Sequence, residues 1–217
     1  MFSSGISKLD ELLGGGVEEG RIVLIETIGE LGEEIAMNFV AEALKSGENV
    51  FLILGRRKVR DIKKMLKSRG VEDENRLTII TSTELGYKTV DLYKLYTISF
   101  AIRQEAKKNK LCSIEILQPL LILHGSQKIY NFFLEVVNLL KKEEVTGIFT
   151  IDKKLSKPRT LAMFEEQSDV VIEIEELLKW LKIERGIRVK KNPLAPHTDF
   201  YELKITEKGI EIGERIV

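Results

Sequence analysis

The stretch Arg21-Ile22-Val23-Leu24-Ile25-Glu26-Thr27-Ile28-Gly29-Glu30-Leu31-Gly32-Glu33-Glu34-Ile35-Ala36-Met37 decides how this chain of 217 residues folds. Its apolar run over residues 22–25 follows Gly20 and leads into a loop holding Gly29 and Gly32, which predicts a buried strand ending in a turn. Beyond Glu33, the residues Ile35, Ala36, Phe39, Val40, Ala43 and Leu44 recur at the spacing of an amphipathic helix that reaches about residue 45. Strand, glycine loop and helix in this order are the setting of a phosphate-binding loop, where backbone N–H groups at a helix N-terminus cradle an anion.

The side chains oppose that use. A working loop reads G-x-x-x-x-G-K-[ST]; its Lys neutralises phosphate charge and its hydroxyl holds magnesium. With Gly32 as the glycine before the Lys, Glu33 stands at the Lys position, Glu34 at the Ser/Thr position and Thr27 at the first glycine. A carboxylate about 4 Å from a phosphate oxygen repels it by roughly 4 kcal/mol per charge pair at an effective dielectric near 20. The loop is therefore expected to bind no ordinary nucleotide, and no cofactor is expected.

The lead-in Gly5-Ile6-Ser7-Lys8-Leu9-Asp10-Glu11-Leu12-Leu13-Gly14-Gly15-Gly16-Val17-Glu18-Glu19-Gly20 resembles the segment G-[IV]-x-x-L-D-x-[LM]-L-G-G-G-[IV]-x-x-G of the KaiC-like branch of the RecA superfamily. Near the C-terminus, Ile187-Arg188-Val189-Lys190-Lys191, Pro196-His197 and Leu203-Lys204-Ile205-Thr206-Glu207-Lys208-Gly209-Ile210 resemble that family's closing strands more loosely. The resemblance implies one RecA-like α/β domain over residues 1–217, in three layers, with a mainly parallel sheet and an antiparallel C-terminal portion. It also supplies positions to test. In the family, a pair of glutamates after the second core strand activates water; Arg56 and Arg57 stand there, and a guanidinium stays protonated. The fourth strand ends in an Asp that orders magnesium; with that strand at residues 120–123, His124 takes its place. Imidazole is a poor partner for hard magnesium. On this reading the Lys, the hydroxyl, the water-activating acid and the magnesium acid are all replaced, and the catalytic set is empty.

Working outward, the helical pattern at residues 7–13 ends at Gly14 to Gly16. Continuous apolar runs at 50–54, 77–80, 120–123 and 145–151 predict strands, and residues 62–66, 92–108 and 129–142 predict helices. Residues 170–174 alternate as a further strand, and the tail suggests antiparallel pieces.

Composition excludes several classes. Equal numbers of basic and acidic residues, 34 each, give no bulk charge to attract nucleic acid. One cysteine, Cys112, and two histidines, His124 and His197, make neither a disulfide framework nor a zinc signature, so no metal is expected. No signal or membrane-spanning run is visible, which predicts a cytoplasmic protein without membrane partners. The abundance of Lys and Glu is a bias of heat-adapted proteins and points mildly to an archaeon or thermophile.

The replaced positions allow several uses. Glu26, Glu30, Glu33 and Glu34 either favour the helix N-terminus by about 0.3–1 kcal/mol each, or one carboxylate folds into the cradle in place of phosphate. A cation or a basic partner surface is a third option. Arg56, Arg57, Lys58 and Arg60 either start a solvated helix or pair across the cleft with the loop glutamates. Lys153, Lys154, Lys157 and Arg159 form a basic loop that reads as solvated, because no aromatic stacking platform accompanies it. Trp180 belongs either to the core or to an interface. The leading expectation is a non-enzymatic binding, scaffold or regulatory protein, as a homo-oligomer or with a protein partner. The alternatives are a nucleotide-binding protein or ATPase with an altered phosphate loop, holding a metal on Glu34, and a DNA- or RNA-binding module.

Overall fold

A computed structural model describes residues 1–179, 182–195, 198–206 and 209–216. The sequence expectations about Trp180 and His197, and the Pro196 and Glu207-Lys208 parts of the C-terminal resemblance, lie outside the described residues. The chain forms an α/β domain of three layers around a sheet in which ten strands are described.

Strand β1 (Ile22–Thr27) is buried along its whole length and sits inside the sheet, paired in parallel with β6 (Thr146–Asp152) and β7 (Val170–Lys179). Next to β6 come β5 (Leu111–Ile114), β2 (Val50–Leu54), β3 (Leu77–Thr81) and the two-residue β4 (Lys88–Thr89), all parallel. On the other side, β8 (Lys182–Lys191), β9 (Tyr201–Thr206) and β10 (Gly209–Arg215) add on antiparallel. The expected mainly parallel sheet with an antiparallel C-terminal portion is therefore present.

Alternation along β1 divides the core into two layers. Val23 and Ile25 face helices α1 (Ser7–Leu12), α2 (Leu31–Lys45) and α3 (Val59–Ser68). Ile22 and Leu24 face α4 (Leu95–Ala106), α5 (Leu117–His124), α6 (Ser126–Lys142) and α7 (Pro158–Gln167). The second layer is anchored by Phe133, whose ring meets Phe149 and Phe164 edge-on at 4.9 and 4.7 Å. Strands covered on both faces are why runs such as Val50 to Leu54 read as unbroken apolar segments.

One strand is elsewhere than the sequence suggests. Residues 120–123 belong to helix α5, and the strand beside β2 and β6 is β5, Leu111-Cys112-Ser113-Ile114. A short apolar run has no period of its own, and Pro119 fits the first turn of a helix, where its missing N–H costs nothing. Ile122 is 73% exposed, which a central strand would not allow. Residues 92–94 also lie outside α4, and α6 starts three residues earlier than the apolar pattern, at Ser126 after Gly125.

Candidate functional cleft

The parallel strands β1, β2, β3, β5 and β6 all end at one edge of the sheet, the place where open α/β sheets bind ligands. A cavity of about 400 Å³ opens there. It is lined by the loop residues Gly29, Glu30 and Glu33, by Gly55, Arg56 and Arg57 after β2, and by Glu115 after β5. Asp152 closes it at the end of β6.

The loop between β1 and α2 keeps the backbone course of a phosphate cradle. Gly29 adopts φ +64°, a left-handed conformation natural to glycine, and Gly32 begins the helix so close to Thr27 that an added Cβ would lie 2.7 Å from the Thr27 Cβ. Two N–H donors of that loop, however, are already taken. The Gly32 N–H donates to the Thr27 hydroxyl at 2.8 Å. The Gly29 N–H donates to Asp152 Oδ2 at 3.3 Å, because pairing of β1 with β6 sets Thr27 opposite Asp152. Burial pushes the Glu33 pKa up, with Glu115 nearby acting in the same direction and the Glu33 backbone N–H opposing it. The Glu33 Oε2 is buried without a hydrogen-bond donor among the described residues. Of the carboxylates offered for the phosphate position, Glu33 is therefore the one drawn inward. Glu30 is 69% exposed and reaches Arg56 across the mouth at 3.4 Å.

The hydroxyl of Thr27 predicts a measurable effect. Thr27→Val keeps the side-chain shape and removes the acceptor of the buried Gly32 N–H. Stability is expected to fall by about 1–2 kcal/mol, read as a shift of the urea midpoint. An unchanged midpoint would mean that another oxygen serves that N–H.

Glu34 leaves the cleft altogether. It points to the α3 side and pairs with Arg69 at 2.6 Å, and Arg69 also binds Asn38. At the Ser/Thr position of the loop there is thus a carboxylate committed to a structural ion pair.

The acid position after the core strand needs correction. Because the strand is β5, the residue at its end is Glu115, whose N–H continues the ladder by donating to Ile53 C=O at 3.0 Å. His124 is not at that position. It ends α5, where its Nε2 lies 2.7 Å from the Leu92 carbonyl oxygen. Arg57 grips the Glu115 carboxylate at the end of β5 in a two-pronged pair, with Nε 3.0 Å from Oε2 and Nη2 on Oε1. Both are buried, Arg57 to 13% and Glu115 to 4% side-chain exposure. Burial raises the Glu115 pKa and Arg57 opposes it. Arg56 and Arg57 follow β2 as the sequence suggested, and both pair within the cleft.

Sequence reasoning missed Glu115 and Asp152. Glu115 was hidden by the strand misplacement. Asp152 ends a legible apolar run, yet its role depends on which strand lies beside β1. The basic loop is held rather than loose: Asp152 Oδ1 accepts the N–H groups of Lys154 and Leu155, and Lys153 pairs with Glu173 and Glu175. Lys154 pairs with Glu176 at 2.7 Å. Cys112 is fully buried, which pushes its thiol pKa far up and leaves it inert.

Magnesium nucleotide, which a loop of this course implies, does not fit these residues. The Gly29 and Gly32 N–H groups are satisfied by Asp152 and Thr27, Glu33 stands where the loop pattern places the lysine, and the Glu115 carboxylate is bound by Arg57. Among the described residues no group of three or more His, Cys, Asp or Glu side chains is arranged to hold a metal, and no helix is long and apolar enough to cross a membrane.

The comparisons with known proteins agree with the architecture. The chain is 24% identical over 229 aligned positions to the DNA repair protein RadA of Aquifex aeolicus (strain VF5), which covers 96% of this chain. It spans about half (45%) of that relative's length. A family model described as "ATPase: KaiC" matches residues 2–216. With its phosphate-loop course, RecA-like sheet order and end-to-end match, this chain belongs to the KaiC-type ATPase family.

Proposed function

We propose that this chain is a single, catalytically inactive RecA/KaiC-type domain that acts through protein–protein contacts, as a scaffold or regulatory component. One observation carries the reading: the loop N–H groups of Gly29 and Gly32 are bonded to the chain's own oxygens, so a phosphate would have to displace Asp152 and Thr27. The Arg57–Glu115 pair supports it, because it occupies both the water-activating position and the magnesium position with one ion pair. A fold freed from hydrolysis keeps its surfaces, and function then rests on them.

The alternative of an ATPase with an altered loop places a metal on Glu34, which conflicts with the commitment of Glu34 to Arg69. The nucleic-acid alternative draws on the relative's name as a DNA repair protein. It loses weight because Lys153 and Lys154 are neutralised by Glu173, Glu175 and Glu176.

Thermal melting with magnesium and millimolar ATP, ADP or GTP tests the proposal. No shift is expected. A ligand at about 100 times its dissociation constant adds roughly 2.7 kcal/mol, so a clear magnesium-dependent rise would overturn the inactive reading and favour the altered ATPase.

A further inference from the structure

We propose that the groove between α4 and α6 is a docking surface for an acidic amphipathic helix of another protein. This rests on the reading that the chain works through protein–protein contacts, and it names the chemistry of the partner. Each helix contributes one stripe to the groove. On α4, Tyr96, Phe100 and Arg103 recur at i, i+4 and i+7, and on α6 Lys128, Phe132 and Glu135 do the same. Between these stripes runs a groove of about 420 Å³ along about two turns of each helix. Its inner part is apolar, formed by Leu95 and Phe132, which pack on the core beneath. The α4 wall stands out into solvent: Tyr96 is 69% and Phe100 63% exposed. Exposed aromatic side chains that share one helix face above an apolar groove mark an interaction site, unlike apolar residues scattered singly.

Charge and the chain's own inventory of helices select the occupant. Arg103 and Lys128 line the groove, and Lys107, four residues beyond Arg103, continues the α4 stripe. Against these three cations stands one lining carboxylate, Glu135, 3.8 Å from Arg103 in a contact that solvent reaches on both sides. The chain as a whole carries no net charge, so this basic excess is local. A helix with an apolar ridge flanked by Asp or Glu fits both the apolar interior and the basic rim. The described helices of this chain supply no such ridge. Their large exposed apolar side chains are Tyr96 and Phe100 on α4, and Ile122 and Leu123 on α5. Helix α5 contains no acid, and the one acid of α4, Glu105, is buried and paired with Lys88.

The probes are two synthetic helical peptides of about five turns with the same leucine stripe, one flanked by glutamates and the other by lysines. Oligothymidylate serves as a third, single-stranded nucleic acid probe. Fluorescence anisotropy with the full chain is expected to show binding of the glutamate peptide, weakened by salt, and none of the lysine peptide. Phe100→Ala should weaken the glutamate peptide by about 10- to 30-fold, the range of a central aromatic contact. The double variant Arg103→Glu/Lys128→Glu should transfer the preference to the lysine peptide, a reversal that misfolding would not produce. Leu178→Glu, at an exposed apolar site on β7, should change nothing. Equal binding of both peptides, no binding of the glutamate peptide up to about 1 mM, or indifference to Phe100→Ala would overturn the proposal. Tighter binding of oligothymidylate, lost in Phe100→Ala, would overturn it in favour of nucleic acid. A concentration-dependent oligomer dispersed by Phe100→Ala would overturn it in favour of a second copy. Failure of the glutamate peptide without any ATP-induced melting shift removes this surface alone, whereas a magnesium-dependent ATP shift removes the inactive reading beneath it.

Discussion

Replacing Arg57 with alanine is expected to lower the stability of the domain by about 3–5 kcal/mol, the cost of leaving a buried charge without its partner. Glu115 keeps only 4% side-chain exposure, and its carboxylate is held by Arg57 through both oxygens. Removing the guanidinium also removes its contact with the Met65 sulfur at 3.5 Å. For a domain of this size the melting temperature should fall by roughly 2–4 °C per kcal/mol. The loss should shrink at lower pH, because a protonated Glu115 tolerates burial. The double variant Arg57→Ala/Glu115→Leu should recover much of the stability, since it deletes the stranded charge. If the single variant melts within about 1 °C of the parent, the pair is not the buried anchor of the cleft.

The second large effect is on pH dependence and comes from the other face of β1. Glu26 is fully buried, and its Oε2 lies 3.2 Å from Lys190 Nζ on β8. The same Lys190 binds Glu165 Oε1 on α7 at 2.9 Å, so one cation serves two carboxylates. Lys153 and Arg188 do not relieve this, because both are engaged by Glu173 on β7. Burial, followed by the hydrogen bond to Glu165, raises the Glu26 pKa from 4.5 to about 7. In the fold the proton is therefore kept to near neutrality, whereas the unfolded chain releases it around 4.5. The resulting stability is fully present below that value and is lost as pH climbs through 7. Raising pH from 5 to 8 is expected to cost about 2–3 kcal/mol through this group. Glu165 is shifted the opposite way, so its contribution fails only in more acidic solution, outside this window. The check is a set of urea midpoints from pH 5 to 8 for the parent and Glu26→Gln. The parent should lose more stability across the range, and parallel curves would show that Glu26 carries no proton of its own.

Much of the fold was legible because both faces of the parallel sheet are covered by helices. Val50 to Leu54 and the apolar part of β6 are unbroken apolar runs flanked by polar turns, and both are strands. The misplacement of a strand at residues 120–123 has the same origin. Leu111-Cys112-Ser113-Ile114 is short and contains Ser, while Leu120-Leu121-Ile122-Leu123 is the more apolar run, yet the first is buried at every position and the second is a helix with an exposed Ile122. Run hydrophobicity reports burial, and burial does not distinguish a strand from a helix packed on the sheet. The two-residue β4 carries no period at all.

The sequence by itself determined the family resemblance, the course of the phosphate loop and the charge at its key positions, because glycine spacing and residue type are local properties. Only the tertiary structure decided what those charges do. Glu33 and Glu34 are neighbours in sequence, but successive helical residues point about 100° apart, so one enters the cleft and the other joins Arg69. Arg57 and Glu115 are 58 residues apart in the chain and meet because β2 and β5 lie side by side. Asp152 reaches the Gly29 N–H because β6 lies beside β1. Strand order is set by packing of the whole chain, and that order brought the Asp152 carboxylate to a loop N–H group that a phosphate would otherwise use.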